Sequence, residues 1–295
     1  MPALAYLRRH LDEKSAAFKA VRKIGRTHLQ DAVPMSLGDA FSGYTRQIAL
    51  GLERIAAVMP RLTELALGGT AVGSGLNTHP EFAGRVIAGL SGHSGIPFTE
   101  AVNHFEAQAA QDAVVETSGV LKTIAVGMVK ICNDIRLLGS GPRCGIGELN
   151  LPALQPGSSI MPGKVNPVIP EAVIQIAYQV MGNDTAITLA GQAGNFELNV
   201  TIPLLAHNLL ESIRLLAGAA RMLADKCLQG LAADEARCAS FIEQSLALVT
   251  ALVPRIGYDR AADLAKKAHA EGLTVRQAAM KERVLPEEEI DALLG

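Results

Sequence analysis

The stretch Leu121-Lys122-Thr123-Ile124-Ala125-Val126-Gly127-Met128-Val129-Lys130-Ile131-Cys132-Asn133-Asp134-Ile135-Arg136-Leu137-Leu138-Gly139-Ser140-Gly141-Pro142 reads as one long helix with a marked end. Leu121, Ile124, Met128, Ile131, Ile135 and Leu138 recur at three- and four-residue steps, which lines one face of an α-helix. The two glycines and the proline that follow cannot continue it.

Outward from this helix the same spacing recurs. Leu37, Phe41, Tyr44, Ile48, Leu52, Ile55, Leu62 and Leu65 predict a helix over residues 36–67, with a kink or break at Pro60. Further helices are expected over 170–189 and 203–226. Leu4, Leu7, Leu11, Phe18 and Val21 form a stripe that begins at once, so the chain reads as if cut within a periodic pattern. A thirty-residue helix is about 45 Å long, and several of that length imply a bundle. No stretch shows the alternation expected of strands. The expected fold is therefore all-α: a long central helical bundle over residues 1–229, then a small helical domain over 230–295, where short charged helices end in Pro286-Glu287-Glu288-Glu289.

Composition agrees with close helix packing. Apolar residues make up 49% of the 295, yet aromatics only 4%, with no Trp. The apolar mass is thus Ala, Leu, Val and Ile, and mean hydropathy is +0.23. No apolar run reaches the roughly 18 residues needed to span a bilayer, so the surplus points to a subunit interface and not to a membrane. The formal charge of −2, with no basic patch among aromatics, argues against a nucleic-acid partner. Cys132, Cys144, Cys227 and Cys238 form no CxxC pair and suggest thiols in a reducing cytoplasm. The histidines show no HxxxH or HExxH spacing, so no metal is expected.

Glycine-rich segments separate the helices, at Gly68-Gly69-Thr70-Ala71-Val72-Gly73-Ser74-Gly75, at 139–147 and at 156–170. The last contains Gly157-Ser158-Ser159-Ile160-Met161-Pro162-Gly163-Lys164-Val165-Asn166-Pro167. It offers two hydroxyls, a cation and an amide on a loop whose freedom comes from glycine and is limited by proline. Backbone N–H groups near glycines hold anions, and Lys164 adds a full charge.

That loop resembles the GSSxMPxKxN signature of the fumarase/aspartase family at every fixed position. Lys23-Ile24-Gly25-Arg26-Thr27-His28-Leu29-Gln30-Asp31-Ala32 and Gly182-Asn183-Asp184, with residues 68–80, 140–148 and 194–200, extend the resemblance over the whole chain. It implies that Ser158, as an alkoxide, is the catalytic base that removes a proton beside a carboxylate. Lys164 and Asn166 are implied to hold that carboxylate, with Ser159 and the main chain of Val165 as further substrate contacts. Thr27 and His28 resemble a second substrate-contacting pair, and Glu171 the carboxylate partnering His28. Read from the residues alone, His28 is an ordinary polar histidine at a turn, and Glu171 suits a helix N-terminus for dipole reasons. His79 and His104 receive no role, and residues 68–75 lack the Lys of a phosphate-binding loop, suggesting instead a tight loop near the site.

The resemblance implies a homotetramer that acts on a small dicarboxylate without cofactor, each site drawing on three subunits. Asn195-Phe196-Glu197-Leu198-Asn199, Asn103-His104-Phe105-Glu106-Ala107 and Gly141-Pro142-Arg143-Cys144-Gly145 favour the class II fumarases, and with them reversible hydration of fumarate to malate. Val168-Ile169-Pro170-Glu171 is also used by aspartases, leaving aspartate ammonia-lyase as the alternative. The family's Ser-Ser-Asn and Ser-Gly-Thr segments are absent here, so the chain alone is expected to be weakly active or an inactive oligomerisation fragment.

Overall fold

The computed structural model describes residues 1–155 and 160–294. In chain order the elements are α1 (Pro2–Ala17), the hairpin β1 (Arg22–Thr27) and β2 (Gln30–Ser36), α2 (Leu37–Leu62), β3 (Glu64–Leu65), α3 (Phe82–Ser94), β4 (Thr99–Glu100), α4 (His104–Ala109) and α5 (Asp112–Leu138). Then come β5 (Leu149–Asn150), α6 (Val168–Gly191), α7 (Ile202–Leu223) with a π-helical turn Ala224–Leu228, β6 (Ala232–Ala233), α8 (Glu235–Gln244), a 3₁₀ segment Leu246–Leu252, α9 (Val253–Ile256), α10 (Tyr258–Glu271), α11 (Val275–Lys281) and α12 (Glu287–Leu294).

The long helices follow the sequence pattern. Leu121, Ile124, Met128, Ile131 and Ile135 are all buried along α5, which ends at Leu138, immediately before Gly139. In α2, Pro60 does not break the helix. It sits in the last turn, where its missing N–H costs one bond, and the helix ends at Leu62. Leu65, expected to be helical, pairs in β3 with β4 instead.

The expectation of no strands is corrected by the β1–β2 hairpin. Its first strand buries Lys23, Ile24 and Gly25 consecutively, so no two-residue alternation shows. Its turn uses His28-Leu29 where Asn-Gly would have announced a hairpin. The register shifts between Ile24 and Arg26, where β2 carries one extra residue. A Cβ on Gly25 would lie 2.8 Å from the Val33 carbonyl oxygen, which is why glycine stands at this bulge.

The chain forms two compact units. One comprises Met1–His10, Thr45–Arg136 and Ala153–Gln229; the other comprises Leu11–Tyr44, Leu137–Pro152 and Gly230–Gly295. Residue 230 opens the last segment of the second unit, which also takes in the hairpin and the loop after α5.

In the first unit, α5, α6 and α7 meet through Ile187, Ala190 and Leu205, with Val114, Val115 and Leu209 packed around them. A polar layer crosses this apolar contact. The buried Asp184 accepts from Ser118 Oγ at 2.8 Å and from Lys122 Nζ at 2.6 Å. Beside it, Gln179 Nε2 donates to Asn183 Oδ1 at 2.8 Å, and Asn183 Nδ2 donates to Ser212 Oγ at 3.1 Å. In the second unit, Leu248, Leu252, Leu264, Val275 and Ile290 build the core of the last helices. Thr274 and Gln277 form a capping box on α11, and Glu287, Glu288 and Glu289 occupy the first turn of α12, where the helix dipole favours acids.

Replacing Asp184 with Ala strands the Ser118 hydroxyl and removes the partner of Lys122. The expected loss is about 2–4 kcal/mol, read as a lower urea midpoint at unchanged slope.

Candidate active site

Two segments present the candidate residues. The first is the tip of the β1–β2 hairpin. Thr27 pairs with Gln30, and between them His28 (φ 55°) and Leu29 (φ 61°) both take left-handed backbone. That is the I′ pattern whose twist matches a hairpin, but neither residue favours it, and each left-handed non-glycine residue costs about 1–2 kcal/mol. Thr27, His28 and Leu29 are all exposed, Leu29 to 77%.

At the base of the hairpin lies a buried charge cluster within the second unit. Glu148 has no exposed surface and meets Arg26 Nη2 at 2.8 Å and Lys23 Nζ at 3.3 Å. The contacts are ionic and oblique: the Glu148 oxygens lack a well-aligned hydrogen bond, and Arg26 Nη1 has no acceptor. Lys23 Nζ donates instead to the Ile24 carbonyl at 2.5 Å. Burial pushes the Lys23 ammonium below its ordinary value, and Glu148 opposes that shift. Arg237 donates to the Ile146 and Gly145 carbonyls at 2.9 Å each, and its guanidinium lies 4.4 Å over the Phe241 ring, which also receives Arg26 at 5.2 Å.

The second segment runs from Ile160 into α6. Met161-Pro162-Gly163-Lys164 closes a turn, with the Lys164 N–H on the Met161 carbonyl at 3.2 Å. Gly163 has φ 83°, and Pro162 precedes it, the residue order of a type II turn. Lys164 and Val165 are exposed, and Asn166 is half-buried with its carbonyl accepting from Val168 N at 2.9 Å. Glu171 falls in the first turn of α6, its N–H on the Pro167 carbonyl at 3.1 Å. Ser158 and Ser159 lie outside the described residues.

The hairpin thus holds Thr27 and His28 side by side in one unit, and the turn and the start of α6 hold Lys164, Val165, Asn166 and Glu171 in the other. A cleft of about 480 Å³ in the first unit is lined by Arg61, Glu64, Glu106, Gln108 and Asp112. Another, of about 590 Å³ in the second, is lined by Leu29, Asp31, Gln244, His269 and Thr274. Among the described candidates, Thr27, His28, Lys164, Val165, Asn166 and Glu171 line neither. His104, given no role from sequence, is a strut: its Nε2 meets the Leu67 carbonyl at 3.1 Å, while Gln108 Nε2 donates to Thr70 O at 3.2 Å, tying the glycine-rich loop to α4. Sequence reasoning missed the Lys23–Arg26–Glu148 cluster. Two cations within a short segment that also holds three buried residues were the available signal.

Cys132, Cys227 and Cys238 are buried and Cys144 is exposed. Desolvation pushes the Cys238 thiol up to about 11, and Cys132 rises further. Since folding raises both, the neutral thiols' contribution to stability is whole below about pH 9 and is lost as pH climbs through the raised values. At pH 8 Ellman's reagent should titrate Cys144 in the folded chain and all four thiols after unfolding in urea.

No single described helix is long and apolar enough to cross a membrane. A family profile described as Lyase matches residues 1–182, and one described as Fumarase C C-terminus matches 248–295. The chain is 56% identical over 291 residues to a class II fumarate hydratase of Nitrosomonas europaea, covering 99% of this chain and 63% of that protein. It is 53% identical to fumarate hydratase 2 of Arabidopsis thaliana, covering 100% of this chain and 59% of the relative. A crystal structure of recombinant class II fumarase from Schistosoma mansoni superposes with a TM-score of 0.95 at 39% identity, over 100% of this chain and 64% of the other. The chain thus spans about three-fifths of the length of the relatives it matches.

Proposed function

We propose, from the premise that the chain belongs to the fumarase/aspartase family of lyases, that it forms part of a fumarate hydratase catalysing reversible, anti addition of water to fumarate to give malate. The observation that carries this reading is the 56% identity to a class II fumarate hydratase across nearly the whole chain.

In this reading Ser158 is the base that takes the proton from the carbon beside one malate carboxylate. A serine alkoxide needs strong stabilisation, which amides of its own glycine-bearing loop supply. As the proton leaves, charge accumulates on the carboxylate. Lys164, carried outward on its proline–glycine turn, and Asn166 neutralise it, with Ser159 and the Val165 main chain alongside. On the opposite face Thr27 and His28 bind, and His28 with Glu171 positions the departing or attacking water. Glu171 serves two ends, since a carboxylate in the first turn of α6 also satisfies the helix dipole.

Exposure of both candidate segments suits a site completed by other copies of the chain in a homotetramer. So does the apolar surface of the first unit: Val126 on α5, Tyr178 and Leu189 on α6, and Leu210 and Ile213 on α7 are all exposed. A second reading, an assembly fragment without turnover, draws on the covered share of the relatives. A dianion with one carboxylate left unneutralised would cost several kcal/mol in a dry site.

The test follows fumarate absorbance with malate and then with aspartate, for the chain alone and after adding a polypeptide for the share of the relatives it does not cover. Malate turnover in the supplemented sample supports the hydratase, aspartate turnover would replace it with an ammonia-lyase, and silence with both favours the fragment. In the active assembly Ser158→Ala should lower kcat by about 10²–10⁴-fold with assembly unchanged in the analytical ultracentrifuge.

A further inference from the structure

We infer that Glu148 is a positioning residue for the Thr27–His28 turn, acting through the Arg26 guanidinium on the same strand. Its catalytic meaning rests on the function proposed above; its mechanical meaning rests on geometry alone.

Glu148 is itself immobile. Its N–H donates to the Leu138 carbonyl at 2.8 Å, and its own carbonyl accepts from Asp234 N at 3.0 Å. Its carboxylate therefore marks a fixed point between the end of α5 and the start of α8. Strand β1 meets that point twice, through Lys23 and Arg26. Arg26 is then fixed from a second direction by Phe241, whose ring is in turn placed by Arg237.

One cation would neutralise one carboxylate. Lys23 supplies one, and Arg26 on the same strand is drawn in as well. What the second contact adds is position. Arg26 lies one residue before Thr27, on the strand that enters a turn with two left-handed non-glycine residues. That turn relaxes unless its entry strand is clamped, and Glu148 is the clamp.

Two variants separate position from bulk stability. Glu148→Gln keeps the shape and removes the charge; Glu148→Asp keeps the charge and withdraws it by one methylene. Leu264→Ala, in the buried core of the last helices of the same unit, is the control for general weakening. In the 295-residue chain, under conditions where all variants stay folded, Glu148→Gln should speed hydrogen exchange at the Arg26, Thr27 and Gln30 amides by at least about ten-fold. Glu148→Asp should recover part of that protection. In denaturant matched to the same global stability, Leu264→Ala should leave those amides unchanged. In the supplemented enzyme, Glu148→Gln should lower kcat by about 10–100-fold and raise KM as well, because the turn it holds carries both Thr27 and His28, while Glu148→Asp should recover part of both. Tip exchange that is unaltered, or matched by Leu264→Ala, overturns the inference, and so does a normal kcat. A wild-type assembly silent toward both malate and fumarate would overturn the proposed function instead, and the exchange experiment would still decide whether Glu148 holds the turn.

Discussion

A carboxylate removed from water must find positive charge, and the surroundings of Glu148 are arranged by that demand. The effective penalty for burying an ion is several kcal/mol, far beyond what one surface pair returns. Lys23 and Arg26 meet it from β1, which obliges that strand to turn polar side chains inward at the positions where an ordinary strand would place Val or Ile. Arg237 and Phe241 complete the enclosure from α8. Hairpin, post-α5 loop and α8 are thereby joined by polar contacts as well as by the buried Ile24, Leu149 and Cys238.

The first unit solves a related problem differently. Its helices bury mainly Leu, Ile, Val and Met, and apolar contact, being non-directional, by itself leaves helices some freedom to shift along one another. The Asp184–Ser118–Lys122 set and the neighbouring Gln179–Asn183–Ser212 chain remove that freedom, because a shift by one turn would part donors from acceptors in a buried setting. Polar groups fix the register; apolar burial supplies the cohesion.

This contrast explains what could be read from the sequence. The α5 stripe and its glycine–proline end were legible because helical burial repeats every three or four residues: Leu121, Ile124, Met128, Ile131 and Ile135 are buried as expected, while Leu138 at the helix end is half-buried. Around Pro162 and Gly163 only a loop was legible; that Met161-Pro162-Gly163-Lys164 makes one closed turn is seen in the structure. The hairpin was not, because Lys23 and Arg26 occupy interior positions where hydrophobic periodicity expects the reverse. Glu148 was hidden for a deeper reason. Its partners Lys23 and Arg26 stand more than a hundred residues away along the chain, so nothing local announces the pairing. Thr27 with His28, and Lys164 to Asn166, are neighbours in sequence and could be named there as candidates; the Lys23–Arg26–Glu148 cluster at the base of the hairpin shows only in three dimensions.

The turn that carries Lys164 has a thermodynamic corollary. Proline at its second position narrows the backbone, glycine at its third supplies the left-handed φ at no steric cost, and the entropy of shaping that segment is surrendered when the chain folds. An anion arriving at Lys164 then meets a cation whose peptide framework is already set, with only the flexible butyl stem left to order. Encounter and capture become nearly one event, and selectivity must come from groups farther along the ligand, because a preset point charge attracts every small anion alike.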